Sequence, residues 1–211
     1  MMYIPAADRI EDEEKAFGLI ERYGFATVVT DGEGGPWASH VPMLLDRGAR
    51  ELRGHLARAN GQWRRFGEGR EVLSIFHGPH GYISPTWYAV GPAVPTWNYA
   101  VVHVYGSVRI EEDPDVVRGI VAATASQYET GRERPWGMEA LPGGMQDAML
   151  RAIVGFSVAI TRIETKFKLG ANRSAEDQEG MIRALGASGM AGDRELGGLM
   201  ERERDERGRG R

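Results

Sequence analysis

Apolar and polar side chains alternate most regularly between Asn98 and Ile110. The even positions of this segment are mainly apolar, whereas the odd positions carry Tyr99, His103 and Tyr105. Because successive side chains of a strand point to opposite faces, this pattern predicts a long strand with one face in a core. Similar β-rich runs predict further strands at 25–30, 37–45, 52–56, 72–77 and 156–169.

Helix signals lie between and after these strands. Asp113 followed by Pro114 places a capping side chain before a proline in the first turn, and it predicts a helix to about Tyr128. Ser174 opens the string Ser-Ala-Glu-Asp, which resembles a capping box and predicts a helix to about Leu185. Periodicity and turn residues predict further helices at 8–23, 59–66 and 143–152.

The connections between the strands indicate the fold class. Most are short glycine-containing turns, such as 31–35, 46–50 and 78–81, rather than helices long enough for a parallel crossover. We therefore predict a mainly β, α+β protein built as an antiparallel barrel with peripheral helices, formed by residues 1–185. Residues 186–211 are rich in glycine and charge and have no aromatic residue, so we expect a mobile tail.

Composition narrows the classes of function. The 211 residues include no cysteine, which excludes a disulfide framework, thiolate catalysis and cysteine-based metal centres. Acidic residues outnumber basic ones by 30 to 26, so the net charge of −4 provides no strong field for nucleic acid. No segment has the length and apolar character of a membrane span, and the N-terminus lacks the apolar run of a signal peptide. A cytoplasmic protein is expected.

A histidine pair and a glycine-rich segment each resemble part of a binding motif but lack its remaining features. His77 and His80 have a spacing at which two side chains can share a metal ion, but no third ligand lies close in sequence, so we predict no metal site. The glycines at 32–35 are followed by no predicted helix and therefore fail the dinucleotide-binding pattern.

Two segments have the composition of a ligand site. His55 ends a predicted strand, and Arg58 and Asn60 follow at the start of a predicted helix, which suits a phosphate group or ordinary helix capping by Asn60. Residues 82–99 interleave tyrosine and tryptophan with proline, serine and threonine. Flat rings beside hydroxyl and amide groups suit a planar heteroaromatic ligand, although a proline-stiffened loop packed by aromatic residues has the same composition.

Several longer strings in a fixed order resemble a known family. They are Met2–Pro5, His40–Pro42, Leu52–Asn60, Gly78–Tyr88, Val94–His103, Met149–Gly155 and Lys166–Arg173. Together they resemble the PaiB-like FMN-binding negative transcriptional regulators over residues 2–185. The chain departs from that pattern at Phe167, where tryptophan is expected, and at Gly170-Ala171, where serine and glutamine are expected.

The resemblance implies a flavin-reductase-like split β-barrel that forms a homodimer with FMN at the subunit interface. It implies that Arg58, Asn60 and Lys168 neutralise the FMN phosphate. Trp97 and Asn98 are expected to meet the flavin ring or its polar edge. The FMN-binding set implied by the resemblance is completed by His40, His55 and Asn172.

The resemblance leaves the activity open, because related split barrels carry several chemistries. One hypothesis is an FMN-binding regulator. A second is a flavin-dependent oxidoreductase of a small molecule, in which the cofactor is the reactive group. A third, a repressor that binds DNA directly, is disfavoured by the acidic net charge and by the lack of a recognition-helix signature.

Overall fold

The computed structural model describes residues 1–32, 34–67, 70–89 and 91–209. The strands are β1 (Arg9–Ile10), β2 (Phe25–Thr30), β3 (Trp37–Asp46), β4 (Glu51–Ala57), β5 (Glu71–Ile83), β6 (Thr96–Glu111) and β7 (Ile153–Lys168). The α-helices are α1 (Glu13–Arg22), α2 (Pro114–Glu129), α3 (Gly143–Arg151), α4 (Ala175–Gly186) and α5 (Ala191–Arg209). Short 3-10 helices include Gly61–Arg65 and Pro85–Trp87.

The strands form one sheet in the order β1-β7-β4-β3-β2-β5-β6, which closes because β7 also pairs with β6. The ladders are antiparallel: Thr27 of β2 lies opposite His40 of β3, and His55 of β4 lies opposite Gly155 of β7. The strands β2 to β7 make the barrel, and the two-residue β1 adds to β7. The predicted antiparallel barrel with peripheral helices is therefore confirmed.

Alternating strand positions and capped helices explain why this sequence folds as it does. Val104, Phe76 and Phe156 are 0% exposed, and each such side chain contributes about 1.5–3 kcal/mol by leaving water. The predicted cap of α2 is confirmed, because the Asp113 carboxylate accepts from the Asp115 amide at 2.9 Å. The Ser174 hydroxyl likewise caps α4.

The chain divides into two compact units, which we name by their position in the sequence. The terminal unit comprises Met1–Asp12, His77–Val102 and Glu164–Arg211. The central unit comprises Glu13–Phe76 and His103–Ile163. Among the described residues, no helix combines the length and the apolar character that crossing a bilayer requires.

Three predicted elements differ from the structure. The glycines and proline at 78–81 predicted a turn, but β5 continues through them. Gly81 is suited to this strand because a Cβ there would lie 3.0 Å from Leu196 Cδ2. The predicted helix at 59–66 is a 3-10 helix over Gly61–Arg65, and α1 begins at Glu13 rather than at residue 8.

A mobile tail was expected after residue 185, but the structure has a helix over most of this segment. Ala191–Arg209 form α5, which packs against α4, and its Leu196 and Met200 are 0% and 2% exposed. The sequence pattern concealed this helix because its apolar stripe is narrow, with Leu196, Leu199 and Met200 as the three large apolar side chains among many charged residues.

Candidate functional site

Asn60, in the central unit, follows β4 and caps the next 3-10 helix. Its Oδ1 accepts from the Gln62 amide at 3.0 Å, and its Nδ2 donates to Ser39 Oγ at 2.8 Å. Both polar ends of the side chain are therefore engaged within the protein. The structure favours the capping interpretation, and a contact of Asn60 with a phosphate stays a prediction.

The Arg58 guanidinium lies at the end of α3. Its Nε donates to the Arg151 carbonyl at 2.8 Å, and its Nη2 donates to the Ile153 carbonyl at 2.7 Å. A cationic donor is favourable here, because the last carbonyls of a helix lack helical partners and carry the negative end of its dipole. Arg58 also borders a groove of about 640 Å³. Its phosphate contact stays a prediction.

The two predicted histidines lie on neighbouring strands of the central unit. His55 is half-buried on β4, its Nδ1 meets no hydrogen-bond partner in the described part of the chain, and burial lowers its pKa. His40 is exposed on β3, with its Nδ1 3.0 Å from Thr27 Oγ1 and its ring stacked on Phe25 at 6.4 Å between centroids. Neither arrangement tests the predicted contact with FMN.

In the terminal unit, aromatic rings and ammonium groups form what we call the aromatic–lysine face. Its members are Tyr3, Tyr82, Trp97, Tyr99, Lys166 and Lys168. Trp97 is 55% exposed and meets Tyr82 edge to face, with 6.3 Å between the ring centroids. Lys168 donates to the Trp97 carbonyl at 2.7 Å and to the Thr96 hydroxyl. Two predicted site residues, Trp97 and Lys168, are thus neighbours.

Lys166 is a functional candidate that the sequence analysis did not single out. It is 6% exposed, its Nζ donates to the Tyr3 carbonyl at 3.1 Å, and the ring centroids of Tyr3 and Tyr99 lie 5.5 and 5.3 Å away. Within the described part of the chain, neither Lys166 nor Lys168 forms an ion pair. The available signal was rarity, since the 26 basic residues include three lysines and two of them stand one residue apart on β7.

The two predicted asparagines lie in different surroundings. Asn98 is 2% exposed, and its Nδ2 points at the sulfur atoms of Met200 and Met181, at 3.6 and 3.9 Å. In this conformation the Asn98 amide is not at the surface beside Trp97. Asn172 is exposed in the turn between β7 and α4. Roles for both in FMN binding stay predictions.

Helix α4 anchors the loop that precedes Trp97. The Asp177 carboxylate accepts from the Ala89 amide at 2.9 Å, and the Arg173 guanidinium lies 4.5 Å from the Tyr88 ring centroid. Gly180 permits the contact, because a Cβ there would lie 2.1 Å from the Trp87 carbonyl oxygen. The aromatic–lysine face is therefore supported by the C-terminal helices.

These side chains fit a flat aromatic ligand that carries a phosphate. Trp97 offers an exposed indole surface, and Lys166 and Lys168 offer cationic donors that no carboxylate among the described residues neutralises. Burying a cation is unfavourable unless an opposite charge or strong acceptors compensate it. The donor set therefore suits the ring system and the dianionic phosphate of FMN.

Comparisons with known proteins agree with this fit. Residues 2–162 match the model of a family described as "Putative FMN-binding domain". The chain is 33% identical over 202 residues to "Protease synthase and sporulation protein PAI 2" of Bacillus subtilis, covering 95% of this chain and 97% of that protein. It is 30% identical over 183 residues to an uncharacterised protein of Emericella nidulans, covering 69% and 73%.

A solved structure agrees in fold. The FAD and heme binding protein from Mycobacterium smegmatis superposes with a TM-score of 0.60 at 18% identity, covering 82% of this chain and 78% of that chain. The fold and the ligand-suited side chains define a protein of the split-barrel flavin-binding class. The chain belongs to the PaiB-like FMN-binding family, and that membership assigns FMN as its cofactor.

Proposed function

We propose that FMN binds on the aromatic–lysine face, with its phosphate at Lys168 and its ring system against Trp97. The observation that carries this proposal is a pair of lysines, beside an exposed indole, for which the described residues provide no ion-pair partner. A phosphate monoester carries close to two negative charges at neutral pH, and charge-assisted hydrogen bonds are among the strongest that a side chain makes. The exposed indole offers a stacking surface to the flavin.

The other implied contacts remain part of the proposal. Arg58 lies beside the first residue of β7 and Lys168 is its last residue, so a phosphate bound by Arg58 is an alternative placement to the one at Lys168. The remaining candidates are His40, His55, Asn60, Asn98 and Asn172. We also propose that the protein forms a homodimer, because exposed rings such as Phe25, at 64%, are costly to leave in water. A cytoplasmic location is a separate part of the proposal.

Bound FMN supplies reversible one- and two-electron chemistry. The chain's own residues are proposed to bind the phosphate, orient the ring and limit the access of water. A regulatory role of the kind that the resemblance implies would act through the flavin or a partner, because the net charge of −4 disfavours direct DNA binding. Turnover of NAD(P)H with an acceptor would instead identify an oxidoreductase.

The test titrates FMN and riboflavin into the flavin-free protein. Lys168→Met should weaken FMN binding about tenfold to hundredfold, because a charge-assisted contact is lost. Riboflavin, which has no phosphate, should bind the variant and the wild type alike. The control is Lys15→Met, which removes a lysine from α1. A wild-type protein that binds neither flavin would overturn the proposed function.

A further inference from the structure

We infer that Lys166 is a second anion-binding lysine, which holds the phosphate of FMN together with Lys168. This inference rests on the proposed function, because it assigns the ligand to the same face. Neither the family model, which matches residues 2–162, nor the resemblance gives Lys166 a role.

The Lys166 ammonium group has more N–H donors than oxygen acceptors among the described residues. An ammonium has three N–H groups, and the Tyr3 carbonyl accepts one of them at 3.1 Å. The rings of Tyr3 and Tyr99 lie within cation–π distance, and no further oxygen acceptor occurs among the described residues. Two donors of a side chain that is 6% exposed are therefore left for a ligand.

Burial makes this arrangement informative. A lysine at the protein surface would satisfy its donors with water, whereas Lys166 has little access to water. Ring faces and one carbonyl compensate a buried charge only in part. Such a position suits an ammonium group whose opposite charge is supplied by a bound anionic ligand.

The ligand can reach Lys166 by displacing an exposed group. Tyr3, which covers the ammonium, is 82% exposed. Its segment is held by the Met2 backbone amide, which donates to the Glu164 carboxylate at 2.8 Å, and by the bond to Lys166 itself. A dianionic phosphate is a stronger acceptor for an ammonium than a neutral carbonyl, so exchange of the Tyr3 carbonyl for the phosphate is favourable.

Geometry on β7 links the two lysines. Lys166 and Lys168 are two positions apart on one strand, so their side chains leave the same side of the backbone. Alternate residues of a strand are about 6.5–7 Å apart. Two flexible lysine side chains at that separation can both reach one phosphate. A shared phosphate would provide the counter-charge that neither lysine finds among the carboxylates of the described residues.

The experiment compares Lys166→Met and Lys166→Arg with the wild type. FMN and riboflavin are titrated into flavin-free protein, and the thermal midpoint of each flavin-free variant is recorded. Lys166→Met should weaken FMN binding about tenfold to hundredfold and leave riboflavin unchanged, whereas Lys166→Arg should retain most of the affinity. The thermal midpoint of Lys166→Met should not fall, because methionine fills the site without burying a charge.

Each contrary outcome has a distinct meaning. Unchanged FMN affinity in Lys166→Met, with the wild type binding FMN, would overturn this inference and leave the proposed function intact. Equal losses for FMN and riboflavin, or a lower thermal midpoint, would show that Lys166 holds the fold or the ring. If the wild type binds no flavin, the thermal midpoint is measured with added inorganic phosphate. An increase that Lys166→Met abolishes supports the anion site, whereas equal increases in both proteins overturn it. Lys15→Met again controls for loss of one positive charge.

Discussion

Two cationic segments of this protein differ in what their donors already bind. Arg58, in the central unit, gives two donors to the carbonyls of Arg151 and Ile153. Lys166 and Lys168, in the terminal unit, have neutral acceptors for only some of their N–H groups. The first segment is engaged in holding the end of α3, whereas the second is the one that we propose to bind a ligand.

The difference shows that a basic residue is best judged by its acceptors. From the sequence, Arg58 was the stronger candidate, because it follows a strand and precedes a helical turn. Its acceptor at Arg151 is 93 residues away along the chain, so no local pattern could indicate it. Four variants test the comparison, and they follow in order of expected effect.

Leu196→Ala should have the largest effect, because it tests whether α5 supports the terminal unit. Leu196 is 0% exposed, and removing a fully buried leucine side chain costs about 2–5 kcal/mol of unfolding free energy. Urea unfolding measures this loss. Arg202→Ala, at an exposed position of the same helix, should change stability by less than about 0.5 kcal/mol. Equal, small effects of both variants would restore the view of a mobile tail.

The fold was largely predictable because its signals are local. The alternation along β6 and the caps at Asp113 and Ser174 each indicate an element from a few adjacent residues. Helix α5 was not predictable in this way, since its narrow apolar stripe becomes recognisable only through its packing against α4 and the close approach of Leu196 to Gly81. Gly81 illustrates the same limit: it suggests a turn in sequence, but it serves a close approach to Leu196.

Arg58→Ala should lower the free energy of unfolding by more than it lowers the free energy of FMN binding. Losing both carbonyl contacts should cost about 1–2 kcal/mol, moderated by the exposure of the side chain. Thermal unfolding is compared with Arg151→Ala, which removes a side chain from the same groove and keeps both carbonyls. A large loss of FMN affinity with riboflavin unaffected would instead give Arg58 the main phosphate role.

The candidate site was predictable only where the resemblance supplied it. The notable aromatic content of residues 82–99 pointed to Trp97, and the structure places it beside Lys168. The resemblance places Asn98 with Trp97 at the ligand, although strand alternation turns its side chain away from Trp97 and towards Met181 and Met200. Lys166 was missed because its burial depends on Tyr3, which is distant in sequence.

Trp97→Ala should weaken FMN and riboflavin binding to the same extent. A ring–ring contact is worth about 0.5–1.5 kcal/mol beyond area burial, which corresponds to roughly a twofold to tenfold loss of affinity. Trp97 is 55% exposed, so the flavin-free variant should remain stable. Trp136→Ala, at an exposed tryptophan of the central unit, is the control. An effect on FMN alone would place the phosphate, rather than the ring, near Trp97.

Substitution of His55 should have the smallest effect on stability. It tests whether the side chains of β4, the strand before Arg58, serve the stability of the fold. Burial lowers the pKa of His55 below its ordinary value near 6.5, and no described residue accepts from Nδ1 to stabilise the imidazolium.

The sign of the pH effect follows from proton binding. Below pH 6.5 the unfolded chain takes up a proton at His55 more readily than the folded protein does, so stability is full above this pH and falls as the pH decreases. His55→Gln should therefore show a smaller difference in thermal midpoint between pH 7.5 and pH 5.5 than the wild type. His40→Gln, at an exposed position, controls for the loss of an imidazole. If His55→Gln loses as much stability on acidification as the wild type, the buried imidazole does not limit stability, and the contrast between a structural Arg58 segment and a ligand-binding lysine face loses one of its supports.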